Sequence, residues 1–409
     1  MREDNSISIL QDVVKIASEN DKEQLVAEYY QKLLKLHGIE SKLVEFSEGR
    51  CSLVAEIENG DGKTLALSGH MDVVDAGDKN EWVFPPFSGH IEDGVIWGRG
   101  TSDMKSGLTA LVIAMIDLNE SKQFKGKLRL LATVGEEIGE LGSAQLTDEG
   151  YVDDVDGMLI GEPCNLGIVH AHKGSLNYKV ISKGISAHSS TPEMGDNAIE
   201  NLVDVINEIN KILKEKIDQF ENDVLGKAIH NITLINGGSQ INSIPDYVEF
   251  QANARTIPEF NNEDMINLIK EVLDNFNKVD KYNFELLVTA NQPPVEARPD
   301  SRLIGIITET VRDFESLKPQ NLILSMEKLL GEDLSDLKKS MDNLREIAPT
   351  GVSATTDAAQ FLRRNKDMEL AIYGPGVPML NHKVNERIPL DQYLDFIKAY
   401  KRIIERYLS

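Results

Sequence analysis

Residues 65–72 read LALSGHMD. A short apolar run followed at once by Gly69, His70 and Asp72 predicts a buried strand, over Lys63–Leu67, that delivers an imidazole and a carboxylate just beyond its end. Open α/β sheets build their sites outside the carboxyl ends of their strands. The same pattern recurs outward along the chain. LRLLATVGEE (128–137) ends on Glu136 and Glu137, MLIGE (158–162) on Glu162, VIWGRGTSD (95–103) on Asp103, and ELAIYGPGVPMLNH (369–382) on His382. Ionised carboxylates lose hydration at buried strand ends, so acids converging there need counter-charge, which a pair of divalent cations would supply. Two imidazoles with three carboxylates and no thiolate suit zinc, cobalt or manganese in a hydrolytic site. Asp103 is the candidate to bridge two ions about 3.5–4 Å apart, the spacing of two-metal hydrolases. Taken singly, each residue has a plainer explanation, a satisfied histidine or a solvated glutamate; their joint placement carries the reading.

Composition narrows the partners. The 409 residues include 67 acidic against 43 basic side chains, a net charge of −24, with 41% apolar and 27% charged residues. That is a globular mixture of a length that predicts two domains. The acidic balance excludes nucleic acid and an anionic membrane surface as main partners, because both are recognised through clustered Lys and Arg. The opening MREDNSISIL lacks the pattern of a secretory signal. The longest near-apolar stretch, Gly107–Leu118, is too short to span a bilayer and predicts a buried helix. Cys51 and Cys164 form no disulfide framework or metal motif, so a cytoplasmic protein with reduced thiols is expected.

The first part of the chain alternates β-rich runs with helix-period segments, which predicts an α/β fold with a mainly parallel sheet flanked by helices. Helices are expected over Leu10–Leu36 and Ser106–Asn119. Strands are expected over Leu43–Glu56, Val95–Trp97, Lys127–Val134 and Met158–Ile160. From Ser175 the texture changes to strand, helix, strand, strand, helix, strand, the ferredoxin-like β-α-β-β-α-β order. Three segments follow: 1–174 and 291–409 as one domain, with 175–290 inserted as a second. Ser316–Ile347, rich in Leu, Lys, Glu and Asp, predicts one or two solvent-facing amphipathic helices that either cover the site or decorate the surface. GRGTSDMKSG (98–107) invites a phosphate-loop reading, but Met104 stands before Lys105 where such a loop needs glycine.

The motifs SGHMDVVDAG, GRGTSDMKSG, ATVGEEIGELGS, IGEP, GISAHSSTPEMGDNAIE and GPG…NHKVNE, in this order over essentially the whole chain, resemble the acetylornithine deacetylase / succinyl-diaminopimelate desuccinylase / aminoacylase family of metallohydrolases. The resemblance implies a zinc-exopeptidase type catalytic domain with an inserted lid and dimerisation domain. It implies two divalent ions, zinc first, with cobalt or manganese as alternatives. His70, Asp103 and Glu162 would hold one ion, and Asp103, Glu137 and His382 the other. Asp72 would orient the His70 imidazole. Glu136 would be the general base that activates water and returns the proton to the leaving amine. His188 would stabilise the oxyanion in a partner subunit's site, with Asn242 nearby and Arg255 pairing a substrate carboxylate. Asn242 and Arg255 also read as a turn former and a strand-end ion pair.

For the substrate, an N-acyl amino acid, the segments AHKGS (171–175) and TTDAAQFL (355–362) match pocket positions of desuccinylase-like members, with Lys173 and Thr356 as candidate contacts. His172 and Lys173 stand where better-known desuccinylases carry two arginines, and Ala354 where they carry glycine. The implied activity is N-succinyl-diaminopimelate desuccinylation. N-acetylornithine deacetylation or dipeptide cleavage are the enzyme alternatives, and an inactive binding module is the non-enzyme one.

Overall fold

A strand buried on both faces has no polar side to show, and Thr64–His70 and Gly157–Ile160 are buried at every residue. In the computed structural model, which describes residues 1–341 and 346–409, these strands lie at the centre of the first of two compact units. That unit takes Met1–His170, Ala297–Thr350 and Gln360–Ser409; the second takes Ala171–Glu296 with Gly351–Ala359.

In the first unit the sheet runs Ser41–Ser47, Arg50–Asn59, Gly126–Thr133, Thr64–His70, Gly157–Ile160, Glu369–Ile372, and then the first residues of Ile168–His172. The strands from Gly126–Thr133 to Glu369–Ile372 are mutually parallel. Their register aligns the carboxyl ends, with His70 opposite Thr133, Ser68 opposite Ile160, and Ile160 opposite Ile372. Outside this block the pairing is antiparallel. The expected strand Leu43–Glu56 is instead a hairpin. The chain turns at Glu48–Gly49, with Gly49 at φ 77°, and Arg50 pairs back onto Ser47.

Helix Lys105–Ser121 is buried nearly all round, as the Gly107–Leu118 stretch predicts, and packs against the Thr64 strand and the terminal helix Leu390–Tyr407. The expected single helix over Leu10–Leu36 is two, Glu3–Lys15 and Gln24–Leu36. The break has a local cause. The buried Lys105 ammonium donates to Val13 O at 3.1 Å and Ile16 O at 2.7 Å, closing the first helix. Ser18 then accepts from Val73 N–H at 3.0 Å, and its hydroxyl donates to Met71 O at 2.7 Å. The interrupted segment thereby lines the turn that follows His70, and the Lys105 ammonium is spent on capping the first helix.

Val95–Trp97 also differs from expectation. It belongs to a separate antiparallel sheet, between His90–Glu92 and Arg387–Pro389. Asp103 is therefore carried by the loop that enters helix Lys105–Ser121 rather than by a strand of the main sheet. The Ser316–Ile347 segment contains helix Pro319–Leu330, closed by Gly331 at φ 67°, and helix Ser335–Met341, while residues 342–345 lie outside the described residues. It is not simply solvent-facing, because Met326 and Leu329 cluster with Val377 and Leu380. The helix thus supports the turn Pro378–Leu380, immediately ahead of His382.

The second unit has the order Gly174–Lys183, helix Ala198–Ile217, Ile229–Gly237, Tyr247–Thr256, helix Asn262–Asn277, Phe284–Gln292. Its sheet runs Ile229–Gly237, Tyr247–Thr256, Gly174–Lys183, Phe284–Gln292, antiparallel throughout, which is the ferredoxin-like arrangement. Leu202, Val205 and Ile209 of one helix and Met265, Ile269 and Val272 of the other join Tyr178, Val180 and Phe250 of the sheet in one core. Asn197 caps the first helix, and Asn261 with Asp264 forms a capping box on the second.

Candidate metal centre

His70 ends its strand almost wholly buried. Its Nδ1 lies 2.9 Å from the main-chain oxygen of Asp72, and since a carbonyl only accepts, Nδ1 carries a proton. The other nitrogen, Nε2, faces Asp103 Oδ1 at 3.1 Å and Glu162 Oε1 at 3.6 Å. The sequence predicts that the Asp72 carboxylate orients this ring. In the structure the main-chain oxygen makes the short contact and the carboxylate stands 3.6 Å off. That carboxylate accepts from the Glu136 and Glu137 N–H groups at 3.2 and 3.1 Å. Asp72 therefore ties the imidazole-bearing strand end to the loop that presents both glutamates.

Asp103 is shared. Its Oδ1 meets His70, and its Oδ2 lies 3.4 Å from His382 Nε2, which is 3.0 Å from Glu137. The centre thus sorts into two sets joined by one carboxylate: His70 with Glu162 and Asp103, and His382 with Glu137 and Asp103. Ligand atoms about 2.0–2.2 Å from a tetrahedral zinc ion stand about 3.3–3.6 Å from one another, and the separations here run from 3.0 Å, a little below that range, to 3.6 Å, its upper end. His70, Asp103 and Glu137 offer ligand atoms all within 4.8 Å of one another and could hold a metal ion. Close backbone approach keeps the walls tight. A Cβ on Gly107 would fall 1.9 Å from Gly161 O, next to Glu162, so only glycine lets the helix lie this near.

Electrostatics follow from this crowding. Burial works to raise Asp103, but hydrogen bonds from His382 and His70 outweigh it and hold the carboxyl well below the usual range. Burial likewise opposes charge on His70, yet the Glu162 charge and the Asp103 and Asp72 carboxylates drive its pKa well above the ordinary value. Hydrogen bonds to Asp103 and Glu137 push His382 up to about 10. Glu137 is raised, chiefly by burial. The Cys164 thiol is pushed up by burial and by Glu162 and Asp103, so it stays protonated, in keeping with a packing role.

The candidate residues of the second unit are arranged as follows. His188 is exposed on a short bridge opposite Ser243, and its Nδ1 accepts from Ser190 N–H at 3.1 Å. Ser189 N–H donates to Asn242 O at 3.0 Å, so His188 and Asn242 are brought together. Arg255 is half-buried on Tyr247–Thr256, paired with Ser175 and Ile229. The Lys173 ammonium donates to Lys227 O at 2.6 Å, and Thr356 Oγ1 accepts from Ala358 N–H at 3.3 Å. His172 is buried with its Nδ1 on Lys173 O at 2.9 Å, and burial lowers its pKa to about 4. Two residues near the metal candidates escape the sequence reading. Arg99 and Glu386 pair at 2.6 Å, buried behind Asp103. Both stand inside motifs quoted above, and the only available signal is a charge beside an otherwise apolar strand.

Metal uptake through His70 and His382 would compete with protons. With both imidazoles raised by the carboxylates around them, an ion held by them would enter only as their protons are released. From about pH 6 to pH 8, Zn2+ affinity is therefore expected to rise about tenfold per pH unit for each imidazole proton displaced. Calorimetric titration in buffers of different ionisation heat measures this, and an affinity independent of pH contradicts the ligand assignment.

Residues 66–342 match peptidase family M20/M25/M40. A probable succinyl-diaminopimelate desuccinylase of Staphylococcus epidermidis is 38% identical, over 100% of this chain and 99% of its own length. Among solved structures, aminopeptidase PepT of Bacillus cereus superposes with TM-score 0.75 at 20% identity, covering 100% of both chains. An M20 family metallo-carboxypeptidase, Sso-CP2 of Sulfolobus solfataricus, gives TM-score 0.75 at 19% identity over 98% of this chain and 99% of that one. These two likenesses speak for the fold. Conserved length, family match and the α/β architecture with its candidate metal site converge on one conclusion: the chain belongs to peptidase family M20/M25/M40 and is a hydrolase acting on amide bonds.

Proposed function

We propose that this hydrolase removes the succinyl group from N-succinyl-LL-2,6-diaminopimelate, releasing succinate and the free diamino acid of lysine and diaminopimelate biosynthesis. The observation that carries this reading is the 38% identity, over the full length, to relatives bearing the desuccinylase name. His70, Asp103 and Glu162 would hold one divalent ion, and Asp103, Glu137 and His382 a second. The carboxylate set between two imidazoles supports that division. When bound, such ions polarise the amide carbonyl and ease the deprotonation of water.

The chain's own groups do the rest. Glu136 takes the proton of the attacking water and passes it to the departing amine. Its position is supported by the Asp72 hydrogen bond to its N–H and by its charge acting on His70. Arg255, Asn242, Lys173 and Thr356 bind the acyl amino acid. One observation favours a less acidic substrate, N-acetylornithine or a dipeptide. Lys173 is already held by a main-chain oxygen and His172 is buried and neutral, which leaves little free positive charge in that segment.

We also propose a homodimer joined through the second unit, in which His188 of the partner subunit stabilises the oxyanion. Ile229–Gly237 is an outer strand of its sheet, with Leu234 and Ile235 54% and 57% exposed, and Ile241 beside Asn242 is fully exposed. Such an apolar edge is a template for pairing with a second chain. A cytoplasmic setting is part of the same proposal. Cys51 and Cys164 are unpaired, and among the described residues no helix is long and apolar enough to cross a membrane.

Zinc-loaded protein offered N-succinyl-diaminopimelate, N-acetylornithine and a dipeptide panel should release amine fastest from the first; no release from it rejects the substrate. Glu136→Ala should lower turnover by about 10²–10⁴-fold with metal content near wild type, and undiminished turnover removes Glu136 from the base role. In sedimentation velocity the wild type should run as a dimer and the double variant Leu234→Lys/Ile235→Lys as a monomer. A monomeric wild type defeats the dimer proposal.

A further inference from the structure

Three residues around the candidate centre sit on loops outside the sheet. Asp72 lies just past one strand, Asp103 on the loop into helix Lys105–Ser121, and His382 ten residues beyond the end of Glu369–Ile372. We propose that Arg99 and Glu386 form a buried clasp that positions Asp103 and His382 against each other, so that both halves of the metal centre depend on it. The inference rests on the metal-centre reading above.

Glu386 is fully buried and Arg99 is 2% exposed. Glu386 Oε2 accepts from Arg99 Nη1 at 2.6 Å, and Oε1 accepts from the main-chain N–H groups of Ser102 at 2.7 Å and Asp103 at 3.0 Å. Its own main-chain oxygen accepts from Gly98 N–H at 2.9 Å. The rest of the guanidinium fork reaches outward. Nη1 donates to Lys383 O at 3.2 Å, one residue after His382, and Nη2 to Asp75 O at 3.3 Å, three residues after Asp72. The Trp82 ring lies over the same guanidinium at 5.3 Å, and its Nε1 donates to Ala76 O at 2.8 Å. One ion pair thereby grips the loops of Asp72, Asp103 and His382.

A buried ion pair contributes little net stability, because desolvation offsets the attraction. Apart from the buried Arg99 Nε–H, which has no hydrogen-bond partner among the described residues, this pair directs its remaining bonds at the main chain of ligand-bearing loops, and charge-assisted bonds of that kind are short and directional. Ligands must be held to within about 0.5 Å, and a displaced Asp103 would disturb the contacts to both imidazoles at once. Neither side chain contacts the candidate ligand atoms, so both are positioning residues acting through Asp103 N–H and Lys383 O.

The test is Zn2+ titration of the full chain against a chromophoric chelator, with circular dichroism and thermal midpoints alongside. Glu386→Gln should bind both ions about 10–100-fold more weakly with unchanged far-ultraviolet dichroism. Arg99→Lys keeps a charge for Glu386 but loses the fork, and should weaken chiefly the ion at His382. If Glu386→Gln does not fold, Arg99→Lys alone decides. Ile404→Ala, a core truncation in the terminal helix, is the control for thermal loss and should bind zinc as the wild type does. Wild-type zinc affinity in the folded clasp variants, beside a wild type that binds two ions, overturns the clasp alone. So does a loss in Ile404→Ala equal to theirs. A wild type that binds no zinc defeats the underlying metal-centre reading as well.

Discussion

The Asp103 carboxylate, with one oxygen toward His70 and the other toward His382, is the arrangement around which the first unit is organised. Burial alone would neutralise such a group. Its charge persists only because two imidazoles face it, and they in turn are held by Glu162 and Glu137. His70, Asp103 and Glu162 are tolerable in the interior because the others are there, while His382 stands about half in solvent. The packing behind them must therefore be rigid, since small displacements would leave buried charge unpaired.

That rigidity comes from elements of very different kinds. Parallel register sets His70 beside Thr133 and Ile160 beside Ile372. Glycine at 107 lets a helix approach the Glu162 loop to a distance no side chain would allow. A lysine closes the first helix so that Ser18 can bond the turn after His70. Helix Pro319–Leu330 packs beneath the turn preceding His382. In the second unit the ferredoxin-like sheet leaves one outer strand with apolar side chains in water, a feature that a lone soluble sheet ordinarily avoids.

Much of this is legible in the residues. Apolar runs ending near His70, Glu136–Glu137 and Glu162 are legible as the parallel strands, because each is short, apolar and followed at once by glycine and a polar residue. The ferredoxin-like order is equally legible, since strand and helix periods alternate cleanly from Ser175 onward. Less legible are the places where distant partners override local preference. Leu10–Leu36 has helical period throughout, yet Lys105, far away in sequence, ends the helix at residue 15. Val95–Trp97 reads like its neighbours but pairs with Arg387–Pro389 instead of the main sheet.

The sequence by itself determined the fold class, because hydrophobic period is a local property written in order along the chain, and its motifs carried the resemblance to the family and the proposed ligands. Only the tertiary structure decided which of these groups face one another. Asp103 is shared between the imidazoles, Asp72 spends its carboxylate on the Glu136 and Glu137 main chain, and Arg99 with Glu386 stands behind them all. Hydrogen bonds and buried charge act across space between residues hundreds of positions apart, and no local pattern specifies which atom of a carboxylate will meet which partner.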